Sequence, residues 1–473
     1  MFENEYSNEH EDYLSTEEKI NLCYTYIDNG TIHFNMDFIE DTVEDCLVEE
    51  FYDDGIELCD YILNIYPNNT EILILKGRLL NAINEFKEAE EIFISLLEVL
   101  PSNNEIYIYL AEAYLGMLEP EKAKIYLDIA SEFNDDESYL FDLYGKYYKT
   151  IGNYNKAIEY FEKSMENNIY YQKNYFEIAY CYERLGDNEV AASYYSQFLE
   201  YDPFNPVAWY NYGIILNNIK KYSDAIQAYE NAIGLDIEFS DAWYNKGITH
   251  LHLKNYEEAL YCFNQAQLID KYDEDVLFNL GKVHEFLNDY DKAIAAYNRI
   301  LEIKPDNPEA LISRAVCYLN NLKYHLCERE LLYVIENYEI KRSEAYLLLG
   351  EMYEDIGNIK KTIELYHQAL IFYKEKSNIS QEDIQISLIN AYLKDYQVQT
   401  ALKLLAKLIE NNTDEAEPYY ILSRIYNIIG QIDLSQFFEK QAVSLEETIS
   451  EIIELDYPRK TFTNYFDTKI LSN

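Results

Sequence analysis

The chain has 473 residues, with 86 Asp or Glu against 38 Lys or Arg and a formal net charge of −48. Its 48% apolar content excludes general disorder, and no run approaches the roughly 18 to 20 apolar residues of a membrane-spanning helix. The start, Met1-Phe2-Glu3-Asn4-Glu5, is acidic and does not resemble a secretory signal, so we expect a soluble, cytoplasmic protein.

The first predicted element is a helix that opens at Ser15. Ser15 and Glu18 have the spacing of a capping box, and Asn29-Gly30 is a turn signal that ends the helix. Residues 1–69 contain 19 acids and a single base, Lys19. We interpret residues 1–35 as an acidic N-terminal segment with a capping helix.

Between residues 70 and 307, small residues recur every 34 positions. One series, at the twentieth place of each 34-residue unit, consists of alanines: Ala89, Ala123, Ala157, Ala191, Ala225, Ala259 and Ala293. A second series, at the eighth place, consists of glycine or alanine: Gly77, Ala111, Gly145, Ala179, Gly213, Gly247 and Gly281. This period is typical of stacked helical hairpins, which need a small residue where two helices approach closely. Nine contiguous units run from 36–69 to 308–341, followed by 343–376, 382–415 and 416–449.

The unit 274–307 shows the predicted hairpin. A first helix covers about 274–287, Asn288-Asp289 forms the turn, and Ala293 and Tyr297 lie on the second helix. The unit follows the pattern Trp-x-x-Leu-Gly-x-x-Tyr, Ala-x-x-x-Phe, Pro, and the chain resembles the tetratricopeptide-repeat proteins. The resemblance implies an all-α fold: a right-handed α-α superhelix of about 12 hairpins with capping helices.

Two features divide and end the predicted solenoid. Five extra residues between 376 and 382 separate a main body of ten repeats, 36–376, from a C-terminal pair, 377–449, and predict either a hinge or simply a longer loop. An amphipathic stripe predicts a capping helix over 444–456; it consists of Leu445, Ile449, Ile452, Ile453 and Leu455. Residues 450–473 are then the end of this helix and a tail.

The resemblance also implies where a ligand binds. In the family the first helices line a concave groove, and ligands contact the second, fifth, ninth, twelfth and thirteenth positions. At or beside these positions lie the aromatic residues Phe176, Tyr180, Tyr210, Tyr244 and Phe278, the acids Asp241 and Asp275, and the bases Lys146, Lys149, Lys173 and Arg184. Glu309 and Glu344 continue the acidic row. The alternatives are ordinary helix packing for the aromatics and pairing with Glu177 and Glu183 for the bases.

No motif for catalysis or metal binding is present. The seven cysteines are scattered without a Cys-x-x-Cys, which predicts reduced, buried thiols. His250 and His284 occupy places that hold Tyr182 or Tyr318 in other units, so we expect them, like nearby His252, to pack rather than bind a metal. There is no His-Glu-x-x-His, phosphate loop or Gly-x-Ser-x-Gly. We predict no catalytic residues, no metal and no cofactor.

Together these features predict a non-enzymatic scaffold or adaptor that binds a protein or peptide in its groove. The acidic surface favours a basic partner and disfavours nucleic acid and membrane insertion, although acidity can also serve solubility alone. Two alternatives are a ligand-responsive regulator and a structural solenoid that self-associates through its ends.

Overall fold

The computed structural model describes residues 14–133, 137–166, 169–374, 379–410, 416–429 and 431–446. These residues form 25 α-helices, which we number α1 to α25, and two short 3-10 helices, Ile32–Phe34 and Ile169–Lys173. No β-strand occurs among them. After α1, the helices pair into twelve antiparallel hairpins, and the predicted all-α fold of tandem hairpins is confirmed.

The first compact unit of the chain is Met1–Leu235, and it contains α1 and six hairpins. Its helices are α1 Thr16–Asp28, α2 Met36–Val48, α3 Tyr52–Ile65, α4 Thr70–Ala82, α5 Phe86–Val99, α6 Asn104–Gly116, α7 Pro120–Ala130, α8 Glu137–Thr150, α9 Tyr154–Met165, α10 Asn174–Leu185, α11 Asn188–Tyr201, α12 Pro206–Asn218 and α13 Tyr222–Leu235. The Ser15 hydroxyl accepts from the Glu18 amide and the Glu18 carboxylate from the Ser15 amide, so the predicted capping box is confirmed.

The second compact unit is Asp236–Asn473, and it contains the other six hairpins. Its helices are α14 Ser240–His252, α15 Tyr256–Ile269, α16 Glu274–Phe286, α17 Tyr290–Ile303, α18 Pro308–Asn320, α19 Tyr324–Asn337, α20 Arg342–Asp355, α21 Ile359–Ile371, α22 Gln381–Lys394, α23 Val398–Glu410, α24 Ala416–Ile429 and α25 Ile432–Leu445. None of the helices that the structure describes is long and apolar enough to cross a membrane.

The glycine at the eighth place of a unit lies against an aromatic ring of the second helix. A β-carbon on Gly77 would come within 2.4 Å of the Phe93 ring, and one on Gly213 within 2.6 Å of the Tyr229 ring. The same contact recurs at Gly145, Gly247, Gly281 and Gly350. The small residue therefore makes room for the ring that fills the hairpin core, as the 34-residue period predicts.

In eleven of the twelve hairpins, the described turn contains one residue with a left-handed backbone. Gly152, Gly186 and Gly357 supply this residue in three turns, with φ values of 75°, 82° and 82°. Equivalent turns use other residue types, for example Leu118 and Leu322, with φ values of 57° and 56°. The backbone of the turn is therefore kept constant even where an ordinary side chain must adopt a conformation that costs free energy.

In many hairpins the first helix is capped by the last residue of the preceding 34-residue repeat. The Asn69 side chain accepts from the Ile72 amide, Asn205 from the Ala208 amide and Asn307 from the Ala310 amide. Each bond satisfies an amide that the helix itself leaves without an acceptor. The period thus extends to the residue that closes each unit.

Two predictions fall largely outside the described residues. Residues 375–378, which contain part of the predicted hinge, and residues 447–473, which contain most of the predicted capping helix, are not described. The division into 36–376 and 377–449 stays a prediction. All seven cysteines are buried and free, as expected.

Candidate protein-binding surfaces

The four predicted aromatic contacts at the fifth place share one environment. Each ring lies on a first helix and packs on an aromatic of its own second helix, nineteen residues later. The centroid distances are 5.5 Å for Phe176–Tyr195, 6.2 Å for Tyr210–Tyr229, 5.7 Å for Tyr244–Phe263 and 5.7 Å for Phe278–Tyr297. All four side chains are half-buried. The rings therefore support the hairpin and keep part of their surface accessible.

In the second unit, Tyr244 is tied to the next first helix. Asn279 Nδ2 donates to Tyr244 Oη at 3.1 Å and to the Asp275 carbonyl at 2.9 Å. Burial, together with the negative charges of Asp275 and Asp273, raises the pKa of Tyr244 to about 12. The phenol thus keeps its proton at neutral pH, and the structure brings Tyr244 and Asp275 together around one amide.

The predicted acidic row divides into exposed and buried members. Asp241 and Asp275 are exposed, and among the described residues neither forms an ion pair. Glu309 Oε1 instead lies 2.5 Å from Lys341 Nζ, and Glu344 Oε2 lies 3.1 Å from the same nitrogen. Glu344 is fully buried. Only Asp241 and Asp275 are therefore available to a partner in the way that the sequence suggested.

The predicted basic residues of the first unit are mostly occupied. Lys146 Nζ lies 2.8 Å from Asp142 Oδ2, and Lys149 Nζ lies 2.6 Å from Glu177 Oε2. The expected pairing with Glu177 is thus confirmed for Lys149. Glu183 pairs with none of them in an ion pair; it accepts from the Tyr195 hydroxyl at 3.4 Å.

Two of the predicted bases contact tyrosine rings or hydroxyls instead of carboxylates. Lys173 Nζ lies 5.7 Å from the centre of the Tyr171 ring, and Arg184 Nε donates to Tyr154 Oη at 3.4 Å. Tyr154 also packs edge-on against Tyr180 at 6.5 Å, and Lys149 lies 5.7 Å from that same Tyr180 ring. Lys149, Tyr180 and Arg184 therefore form one cluster around Tyr154 and Tyr180.

A buried polar network beside this cluster was not predicted. Asn174 Nδ2 donates at 2.8 Å both to Asp142 Oδ1 and to Ser164 Oγ. Asp142 and Asn174 are each 1% exposed. The sequence feature that could have revealed this network is Asp142 itself. It is a charged residue at the fifth place of its 34-residue repeat, where the next four repeats have aromatic residues. The network fixes Lys146 through Asp142 and links α8, α9 and α10.

The ninth place of the first helices alternates in charge along the first unit. It holds Glu44, Arg78, Glu112 and Lys146 in succession, and Arg78 Nη1 lies 3.0 Å from Glu44 Oε1. For Lys146, burial lowers the pKa, but the nearby Asp142 and Glu112 carboxylates outweigh it and raise the pKa. Positive charge at the ninth place is therefore held by carboxylates of the chain itself.

The second unit contains a buried ion pair at two expected groove positions. Lys282 and Glu285 are 5% and 3% exposed, and Lys282 Nζ lies 3.2 Å from Glu285 Oε1. Tyr297 Oη donates to the same oxygen at 2.5 Å.

Among the described residues, no group of three or more His, Cys, Asp or Glu side chains is placed to hold a metal ion. Burial lowers the pKa of His252 and of His284, which suits the packing role predicted for them.

The hairpins define a helical-repeat protein, and comparison with known proteins identifies the repeat. Residues 140–168, 176–237 and 238–306 each match a model described as a tetratricopeptide repeat. These matches show that residues 140–168 and 176–306 consist of tetratricopeptide repeats, as the sequence pattern indicates, and the hairpins of the other described residues have the same helix-pair arrangement. Such repeats are typical of non-catalytic scaffolds that bind other proteins.

One curated relative and several solved structures are similar to the chain. The TPR repeat-containing protein YpiA of Bacillus subtilis (strain 168) is 26% identical over 180 residues, which cover 36% of this chain and 42% of YpiA. The match thus spans less than half of that relative's length. Yeast Tom70 is 16% identical with a TM-score of 0.45, covering 92% of this chain and 95% of Tom70. YrrB, described as a TPR protein with an unusual peptide-binding site, is 20% identical with a TM-score of 0.34, covering 38% and 93%.

Proposed function

We propose that the chain is a non-enzymatic scaffold that binds a basic segment of another protein on its first-helix face. In the second unit the binding residues are Tyr244 and Phe278, which supply aromatic surface, and Asp241 and Asp275, which supply charge. One observation carries the proposal: these two carboxylates are exposed and unpaired beside half-buried rings, within the part of the chain that the structure describes.

The charge distribution supports a basic rather than an acidic partner. Lys146, Lys149, Lys282 and Lys341 are held by carboxylates of the chain itself. The exposed acids Asp241 and Asp275 have no such counter-ion and would gain one from a lysine or arginine of the partner. Complementary charge of this kind mainly increases the association rate and the specificity, and it is weakened by salt.

The aromatic residues supply a preformed apolar surface. Tyr244 and Phe278 are held by Phe263 and Tyr297 before any partner arrives, so little side-chain freedom is lost on binding. In the first unit, Phe176, Tyr180 and Tyr210 form the corresponding aromatic positions. Lys173 and Arg184, which make no ion pair among the described residues, are available there for a single carboxylate of the partner.

Binding of fluorescein-labelled peptides, followed by anisotropy, tests this function. We expect peptides rich in Lys, Arg and Leu to bind, and peptides of the same pattern with Glu and Asp not to bind. The double variant Asp241→Asn, Asp275→Asn should bind the basic peptides about fivefold more weakly, because each exposed charge contributes modestly.

A matched control removes two charges from the second helix of the hairpin that contains Asp241. Glu257→Gln with Glu258→Gln, both exposed on α15, should leave the affinity unchanged. Equal loss in both double variants would show that only net charge matters, and equal binding of acidic peptides would contradict the proposal.

Light scattering of the free protein over a concentration series would reveal self-association, the structural alternative. A cytoplasmic location, suggested by the reduced cysteines, belongs to the same proposal.

A further inference from the structure

A surface cavity that is widely open to solvent, with a volume of about 350 Å³, lies in the second unit, away from the predicted binding residues. It is formed by three successive helices, α17, α18 and α19, and none of its residues stands at a position that the family uses for its groove. Its wall contains Leu301, Leu311, Arg314, Arg329, Glu330 and Tyr333. The volume falls at the lower end of the range of small-molecule sites.

The first arginine of the cavity is rigidly oriented. Arg314 Nε donates to Glu330 Oε2 at 3.0 Å, Arg314 Nη2 donates to Glu330 Oε1, and Nη1 donates to Asn298 Oδ1 at 2.5 Å. Glu330 is 8% exposed. A guanidinium has five N–H donors, so Arg314 keeps two for another acceptor. Its direction is already set by the two-point contact with Glu330, which lowers the ordering cost of binding an anion.

The second arginine is available. Arg329 is exposed, and it forms no ion pair with any carboxylate that the structure describes. With Arg314 and Glu330, it gives the cavity a net charge of +1, in a chain whose net charge is −48. A single negative charge neutralises this set. A doubly charged phosphate is less suited, because it would face the Glu330 carboxylate as well.

The rest of the wall is apolar or aromatic. Leu311 is buried, Leu301 is partly buried, Pro305 adds to the same wall, and Tyr333 is 45% exposed. We propose that this cavity binds a small organic acid: one carboxylate, held by Arg329 and the free N–H groups of Arg314, on an apolar or aromatic body that packs on Leu301, Leu311 and Tyr333. The site is independent of the proposed protein-binding face.

Saturation-transfer NMR with phenylacetate as the probe tests the site in the whole 473-residue chain. We expect saturable binding of phenylacetate and none of the neutral phenylacetamide or the cationic phenethylamine at the same concentration. Arg329→Gln should weaken phenylacetate binding about tenfold, the effect of losing a charge-assisted hydrogen bond. Because Arg329 is exposed, this variant should keep the circular dichroism spectrum of the parent.

Lys360→Gln is the matched control, since it removes one positive charge from an exposed residue of α21, outside the cavity. It should leave phenylacetate binding unchanged. The proposal is overturned by equal binding of the amide, by equal effects of the two variants, or by no saturation up to about 20 mM phenylacetate. None of these outcomes bears on the binding of basic peptides, so the two proposals fail separately.

Discussion

The ring of Tyr297 lies directly over Gly281: a β-carbon on that glycine would be 2.5 Å from Cζ of the ring. The Tyr297 hydroxyl is also bonded to Glu285 at 2.5 Å, so the ring cannot move away without losing that bond. Ala179 faces Tyr195 at the same two places of another hairpin, and there the hydroxyl lies 3.4 Å from Glu183. The distance from the tyrosine hydroxyl to the glutamate is therefore shorter in the hairpin with glycine at the eighth place than in the hairpin with alanine there.

Gly281→Ala should lower the free energy of unfolding by about 1 to 2 kcal/mol, because the added methyl group overpacks the hairpin. Gly234→Ala is the control, since no heavy atom lies within 4 Å of the new β-carbon. That variant should be neutral or stabilising by up to about 1 kcal/mol, the helix propensity of alanine over glycine. Urea unfolding followed by circular dichroism measures both, and similar shifts of the same sign would refute the packing argument.

Tyr297→Phe should destabilise the protein by about 1.5 to 3 kcal/mol, because a buried hydrogen bond to a charged carboxylate is lost. Tyr195→Phe removes a hydroxyl with a longer bond and should cost less than about 1 kcal/mol. The comparison uses the unfolding midpoints of the two variants in the same denaturant. A larger loss at Tyr195 would show that the bond length does not report the strength of the interaction.

Leu322→Gly should raise the free energy of unfolding by up to about 1 kcal/mol. Leu322 is 61% exposed, so little packing is lost, whereas its left-handed backbone is relieved of strain that exceeds the added chain entropy of glycine. Gly186→Ala introduces the same strain and should destabilise by about 1 kcal/mol. Thermal unfolding checks both variants, and a stabilising Gly186→Ala would contradict the role assigned to the turn.

Acid should destabilise the protein through His284. Burial lowers the pKa of His284 below its usual 6.5, so the unfolded chain takes up the proton first. The contribution of this residue is complete above about pH 6.5 and is lost as the pH falls through its lower, folded value. His284→Tyr introduces a tyrosine, the residue type that Tyr182 provides at the same place of another repeat. This variant should make the free energy of unfolding depend less on pH in this range. Measured between about pH 5 and 7.5, the unfolding free energy should therefore fall less on acidification in the variant than in the parent.

Much of the fold follows from the sequence because the hairpin core depends on residue size at fixed places. Small residues such as Gly281 and Ala293 are required where two helices come close, so their 34-residue period predicts how the helices pack. The turn at Leu322 is less visible, since nothing in a leucine signals a left-handed backbone. Its conformation is imposed by the helices on either side.

The candidate site was predictable only in part, because the repeat tells which face a residue occupies but not which partner reaches it. Asp241 and Asp275 are exposed as expected. Glu344 stands at the equivalent place and Lys282 at another groove position, the ninth. Both are buried, and they form ion pairs with Lys341 and Glu285, respectively. Ion pairs of this kind depend on the particular residue at a neighbouring position, which varies from unit to unit.

The burial of every native thiol makes the chain suitable for site-directed spin labelling. Burial raises the pKa of Cys59, Cys181 and Cys327 to about 12, so these groups should react slowly with thiol-specific reagents. Pairs of new cysteines at exposed turn residues, such as Lys254 and Leu322, would then carry the labels alone. Pulsed electron-spin measurements on such pairs would give the rise of the repeats directly, with and without a bound peptide, while the native cysteines stay in place.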